Sequence, residues 1–120
     1  AELRNQYADH EGFGDADADY FRELLNGIAD GAAALDAELG SLIDRPVAQL
    51  DPVERAVLLI GLYELAQRLD VPYRVVINEG VELAKRFGAT DGHKFVNAVL
   101  DRASRSHRAA EQAAAGRARG

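Results

Sequence analysis

Residues 85–95, KRFGATDGHKF, gather three cations, two phenylalanines, a histidine and an aspartate around two glycines. Lys85 and Arg86 fall at the end of one helical pattern, and Gly88 is a good stop for it. Asp91, Gly92, His93 and Lys94 open the next pattern, where the free N–H groups of a first turn favour phosphate oxygens. Phe87 and Phe95 offer aromatic faces on which unstacked bases can lie. Gly88 and Gly92 allow close approach. The chemistry this suits is the binding of phosphates and exposed bases, or of a protein partner. A plainer reading of the same residues stands beside it: both phenylalanines fit the inner faces of their helices, and Lys85 and Arg86 complement a helix dipole.

Catalytic patterns are missing. His10, His93 and His107 are far apart and make no HExxH spacing, and no Gly-rich phosphate loop or nucleophile elbow is present. Ser41, Ser104 and Ser106 have no motif around them, and cysteine is absent altogether. We therefore expect neither an enzyme nor a metal site or cofactor. Glu64 is the odd charge in an apolar segment and needs a partner or a route to water. It reads as a cap on a neighbouring backbone, as half of an arginine pair, or as a contact to a partner. Asn78 reads as a tie between helices.

These residues need elements to hold them. From Phe21 through Leu24, Leu25, Ile28, Ala32, Leu35, Leu39 and Leu42, apolar residues recur at steps of three or four, predicting one long helix over about 18–43. Gly27, Gly31 and Gly40 weaken it or mark close packing. Asp15, Asp17 and Asp19 supply its N-terminal charges. Before it, 2–10 reads as the end of a helix and EGFGD at 11–15 as a linker. After Pro46, Asp51 is an N-cap with Pro52 at the first helical position and Glu54 at the third. The helix that follows, from 52 to about 69, is apolar on most sides and should be the central one. Tyr73, Ile77, Val81, Ala84 and Phe87 form the next stripe, with Glu82 and Arg86 spaced as an i,i+4 pair. Thr90 or Asp91 caps a last helix whose inner face is Phe95, Val96, Val99, Leu100 and Ala103. No segment alternates long enough to be a strand.

With 120 residues, one domain with its own core is expected, here over 1–104, followed by a basic Ala/Gly-rich tail at 105–120 that reads as frayed or disordered. No apolar run is long enough for a membrane span and no signal peptide is visible, so the expected location is the cytoplasm. Methionine is absent even at position 1, so the sequence reads as a piece of a longer chain. The net charge is −6, divided unevenly: residues 1–51 carry 12 acids and 3 arginines, whereas 52–120 carry 8 acids and 11 cations. Overall acidity argues against strong nonspecific DNA binding, while the second half can still form a local basic patch.

The segments YFRELLNGI at 20–28, LDPVERAVLLIGLYEL from Leu50, DVPYRVVINEGVELAKRFG from Asp70 and HKFVNAVLDR from His93 occur in an order and spacing that resemble the NusB family of bacterial transcription antitermination factors. The resemblance covers about residues 17–103. It implies an all-α fold, a compact bundle of two small subdomains. It also implies a partnership with a small-subunit ribosomal protein acting as NusE. Together the two would bind boxA RNA of ribosomal RNA leader transcripts within the RNA polymerase antitermination complex. By motif match, Phe87, Asp91, Lys94 and Phe95 are the carried-over members of the RNA face, flanked by Lys85 and Arg86. Glu54, in the VERAV segment, is the choice for a ribosomal-protein contact. By this resemblance the sequence is expected to start beyond the family's arginine-rich first helix, and Gly80 and Ala98 each replace one small residue by another. Two alternatives accompany this reading. One is the NusB-like RNA-binding domain of a ribosomal RNA cytosine methyltransferase, which requires a catalytic domain downstream of the Ala/Gly/Arg tail. The other is a structural helical interaction module, for instance a homodimer.

Overall fold

Asp51 and Pro52 start a helix by the chemistry expected of them. In the computed structural model, which describes residues 15–119 (with side chains at 18–114 and 116), the Asp51 carboxylate accepts the N–H groups of Val53 and Glu54 at 3.0 and 3.1 Å. Proline occupies the position whose N–H would have had no partner. The helix end expected at 2–10 and the linker expected from residue 11 lie outside the described residues, save Asp15, which begins the first helix.

The described helices are α1 (Asp15–Asp30), α2 (Ala32–Leu42), α3 (Pro52–Gln67), α4 (Tyr73–Phe87), α5 (Gly92–His107) and α6 (Ala109–Arg119). A 3-10 turn, Val47–Gln49, precedes α3. The fold is all-α, with no strand among the described residues. The helices α3, α4 and α5 pack against one another as a three-helix unit, and α1 and α2 lie against α3. Leu39, Leu58, Leu62, Leu65, Val96 and Leu100 are fully buried in the one core that both units share.

The expected single helix over 18–43 is two helices. Gly31 sits between them with φ −102° and ψ 12°, and glycine is where a helix most readily gives up its regular dihedrals. The break turns Leu35 and Leu39 of α2 into the core, while Leu25, part of the expected stripe on α1, stays 53% exposed. On α4 the buried line is Val76, Gly80 and Ala84, with Ile77 beside it, so the inner face is rotated away from the expected Tyr73–Phe87 stripe.

At Gly80 and Gly61 a close approach explains the residue type. A Cβ on Gly61 would lie 2.6 Å from Leu100 Cδ2, and one on Gly80 would lie 2.8 Å from Leu100 Cδ1. Leu100 of α5 thus fills the space beside both neighbouring helices.

Residues 105–119 differ most from expectation. α5 runs to His107, and α6 follows after a break at Arg108. Alanine gives α6 high intrinsic propensity, but Arg108 is the reason the segment docks. Its side chain is 3% exposed. The guanidinium donates to the carbonyls of Leu65 at 2.9 Å, Glu64 at 3.1 Å, Arg68 at 2.8 Å and Val71 at 2.8 Å. Of these, the Leu65 carbonyl is one that the C-terminus of α3 leaves without a helical partner. It also donates to Glu111 Oε1 at 2.7 Å, and Glu111 Oε2 accepts the Tyr73 N–H at 2.9 Å where α4 begins. Burial opposes ionisation of Glu111, yet the bonds from Tyr73 and Arg108 hold its carboxyl below the usual range. Sequence periodicity registers apolar faces, so a buried arginine in a leucine-free segment escaped it.

Glu64 is 6% exposed, and its side chain neither caps a backbone nor pairs with an arginine. Its carboxylate accepts the Tyr20 hydroxyl at 2.5 Å, joining α3 to α1. The Tyr20 ring in turn lies under Arg68, whose guanidinium carbon is 4.5 Å from the ring centroid. Burial pushes the Glu64 carboxyl above its ordinary 4.5, against the Tyr20 bond that favours the anion.

Two outcomes follow from these buried charges. Arg108→Ala should lose about 3–5 kcal/mol in urea denaturation, because it leaves the Leu65 carbonyl and Glu111 uncompensated. Removing residues after Ser104 should cost a similar amount, and wild-type stability for both would show that the arginine contributes nothing. Glu64→Gln keeps an acceptor for Tyr20 without a charge. The raised folded pKa means that ionised Glu64 costs stability, and that the cost develops as pH rises above the unfolded value of 4.5. The stability of the glutamine variant relative to wild type should therefore increase as pH rises above 4.5, and level off once the folded carboxyl is ionised. A decrease over that range would mean the anion is the favoured form.

Candidate functional site

The turn joining α4 to α5 is built by its backbone. Gly88 N–H closes α4 on the Ala84 carbonyl at 2.9 Å, and Gly92 N–H returns to Ala89 at 3.0 Å. Asp91 has φ 66°, the left-handed region, which aspartate tolerates better than most residues. This conformation corrects the capping expectation. Neither Asp91 nor any other side chain makes a cap hydrogen bond at the start of α5. The Asp91 carboxylate instead lies 3.4 Å from Lys94 Nζ, with both side chains well exposed.

The exposed cations divide between two sides of this turn. Lys85 and Arg86, in the last turn of α4, border a groove of about 910 Å³ between α1 and α4. The floor includes Phe21, Leu24, Ile60 and Val76, and its polar edge carries Asn78, Glu79 and Glu82. Asn78 is exposed there and has no described hydrogen bond, so it does not tie helices. Lys85 rather than Arg86 approaches Glu82, at 3.6 Å. Arg86 lies over the Phe87 ring, 5.5 Å from its centroid.

The two phenylalanines have separate surroundings. Phe87 is 37% exposed and lies outside the core, so the inner-face expectation fails for it. Phe95 packs partly against the core and is covered on the outside by Arg45, whose guanidinium carbon is 4.6 Å from the ring centroid. Phe95 borders a second cavity, of about 420 Å³, between α5, the end of α2 and the connector residues Ile43, Asp44 and Arg45. The candidate residues thus form a band across the turn rather than one pocket.

Glu54 lies beside the band. It is half-buried, and its carboxylate rests on the first turn of α5, where a Cβ on Gly92 would come within 2.6 Å of Oε2. Burial, and then the neighbouring Asp51, push its carboxyl above the ordinary value. A side chain at position 92 would therefore require the Glu54 carboxylate to move.

Sequence reasoning missed Arg45 and Arg102. Arg102 donates to the Leu42 carbonyl and tethers the connector to α5. Its signal was available: positions 95, 98, 99 and 102 share one helical face. Arg45, in a connector, has no periodicity to reveal it. Among the described residues, no group of three or more His, Asp or Glu is placed to hold a metal ion. No described helix is long and apolar enough to cross a membrane.

Comparison with known proteins places this geometry in a family. The model of the NusB family matches residues 1–105. The chain belongs to the NusB family. A relative from Halorhodospira halophila, named transcription antitermination protein NusB, is 58% identical over 103 residues, covering 84% of this chain and 66% of its own length. One of the same name from Marinobacter nauticus is 58% identical over 92 residues, covering 77% of this chain and 58% of its own length. The chain spans less than two thirds of the length of these relatives. The solved structure of T. maritima NusB superposes with a TM-score of 0.76 at 31% identity, covering 82% of this chain and 70% of that one. The all-α fold and the NusB resemblance are thus both shown.

The two NusB phenylalanines should respond differently to truncation. Phe95→Ala should destabilise the fold by about 3 kcal/mol, the lower end for a buried ring, because the side chain is only partly enclosed. Phe87→Ala should stay within about 0.5 kcal/mol of wild type, as surface substitutions do. Equal losses in thermal denaturation would contradict this assignment.

Proposed function

We propose that the chain acts as a transcription antitermination factor in the cytoplasm. In this reading it binds boxA RNA of ribosomal RNA leader transcripts together with a small-subunit ribosomal protein acting as NusE, within the RNA polymerase antitermination complex. The observation that carries the reading is family membership, together with relatives named for antitermination at 58% identity across most of this chain. The exposed cations Lys85, Arg86 and Lys94 give the turn the local charge that phosphates need. The exposed Phe87 ring and the Phe95 ring under Arg45 give it surfaces for unstacked bases. Glu54, at the edge of this band, is the proposed contact to the ribosomal protein.

Charge argues for the partnership. A chain with net charge −6 repels RNA at long range, so a basic partner would strengthen binding by more than its own contacts. Titration of a labelled boxA RNA with and without NusE, across a salt series, tests this. Binding by the chain alone should be weak and salt-sensitive, and NusE should strengthen it. Affinity indifferent to NusE at every salt concentration would remove the partnership.

Asp91 sets the sign of a second test. Its carboxylate occupies Lys94 and repels nearby phosphates, and it makes no cap bond that a substitution would lose. Asparagine also tolerates the left-handed backbone. Asp91→Asn should therefore keep the fold and tighten RNA binding, with a gain that shrinks as salt rises. Lys94→Ala should weaken binding and reduce the salt slope by about 1. Weaker binding by a folded Asp91→Asn protein would make Asp91 a direct acceptor from a base amine instead.

A further inference from the structure

We propose that Arg45 is the outer face of the stacking platform on Phe95, so that an unpaired RNA base lies on the Arg45 guanidinium and not on the bare phenyl ring. The inference rests on the RNA reading above and adds a residue and a connector to it.

Four observations carry it. First, the outer side of Phe95 is already taken, since the Arg45 guanidinium carbon stands 4.6 Å from the ring centroid. A base could reach the ring only by displacing a cation–π contact, whereas it can join the stack by adding to it. A guanidinium is planar and weakly hydrated, and stacks on aromatic planes in a way an ammonium cannot.

Second, Arg45 is not committed elsewhere. Asp44 approaches it at 4.0 Å but is 96% exposed, an arrangement that solvent screens almost fully, and Glu54 feels its charge without forming an ion pair. Third, the connector does not depend on Arg45 for its position. Arg102 holds it through the Leu42 carbonyl, and the turn after Pro46 is closed by the Gln49 N–H on the Pro46 carbonyl at 2.9 Å.

Fourth, there is room. Arg45, Phe95 and Arg102 border the same open cavity of about 420 Å³, within the range of small-ligand sites and ample for one nucleoside. Ser41 and Leu42 also line it. Arg45 and Arg102 outnumber Asp44 there, which suits a base that arrives with its phosphate.

The test is titration of a short single-stranded boxA RNA with the full chain and NusE, comparing wild type, Arg45→Lys and Arg45→Ala, with melting of each variant as a control for folding. Arg45→Lys keeps the charge and removes the plane. It should weaken binding about three- to tenfold at an unchanged salt slope. Arg45→Ala should weaken binding at least as much and lower the slope by about 1. Abasic substitution along the RNA should find one position at which wild type loses its advantage over Arg45→Lys. Equal affinity of wild type and Arg45→Lys would reduce Arg45 to a point charge and overturn the proposal. Tighter binding by Arg45→Ala would overturn it too, making Arg45 a cover that withholds Phe95. If wild type itself fails to bind with NusE present, the RNA reading falls first and takes this inference with it. Binding by wild type that is insensitive to Arg45 refutes the platform alone.

Discussion

Leu100 stands where a side chain on either of two neighbouring helices would have to be. It projects from α5 between Gly61 of α3 and Gly80 of α4, leaving no room for a Cβ at either position without movement. The three helices are thereby drawn close around one fully buried leucine, and the other core residues, Leu58, Leu62, Val76 and Val96, fill in around it. Packing this close fixes how α4 ends and where α5 begins. The turn between them inherits its position from that contact, so the exposed side chains at 85–95 are presented by a rigid core and need little order of their own.

Both ends of α3 are tied to the same assembly by charge. At its start, Asp51 caps the helix and Glu54 leans on Gly92 at the first turn of α5. At its end, Arg108 takes up the terminal carbonyls and hands the connection to Glu111 and the first N–H of α4. Burying an arginine is costly unless its donors are satisfied. Here five hydrogen bonds from one guanidinium do so, and among the described residues no buried side-chain nitrogen or oxygen lacks a partner.

The surface that results has little enclosed volume at the turn and much exposed charge. Such a surface suits a flexible, charged ligand better than a compact one, because affinity comes from phosphates and stacked planes spread along a band. The acidic α1–α2 side and the cationic turn lie on one small protein, so long-range repulsion and local attraction oppose each other. A basic partner shifts that balance, which is why the proposed ribosomal-protein contact and the proposed RNA band make physical sense side by side.

Much of the architecture was determined by local sequence. The Asp51-Pro52 start, the glycine stop at 88 and the inner face of Val96, Val99, Leu100 and Ala103 depend on neighbours three or four residues away, and such signals survive without tertiary context. The motif order around the turn likewise identified the family before any coordinates. Tertiary structure decided the rest, because those features are contacts between residues far apart in the chain. Gly31 divides one apolar stripe into two helices so that both can reach α3. Arg108, in a segment without leucines, is buried because the end of α3, more than forty residues earlier, offers the Leu65 carbonyl, which has no other donor among the described residues. Glu64 found Tyr20 and not an arginine. Phe87 and Phe95 look alike in sequence, yet one is exposed beside Arg86 and the other lies beneath Arg45, since only the packed connector brings a residue fifty positions away onto the ring. Periodicity records which face of a helix is apolar; it holds no information about which distant polar group completes that face.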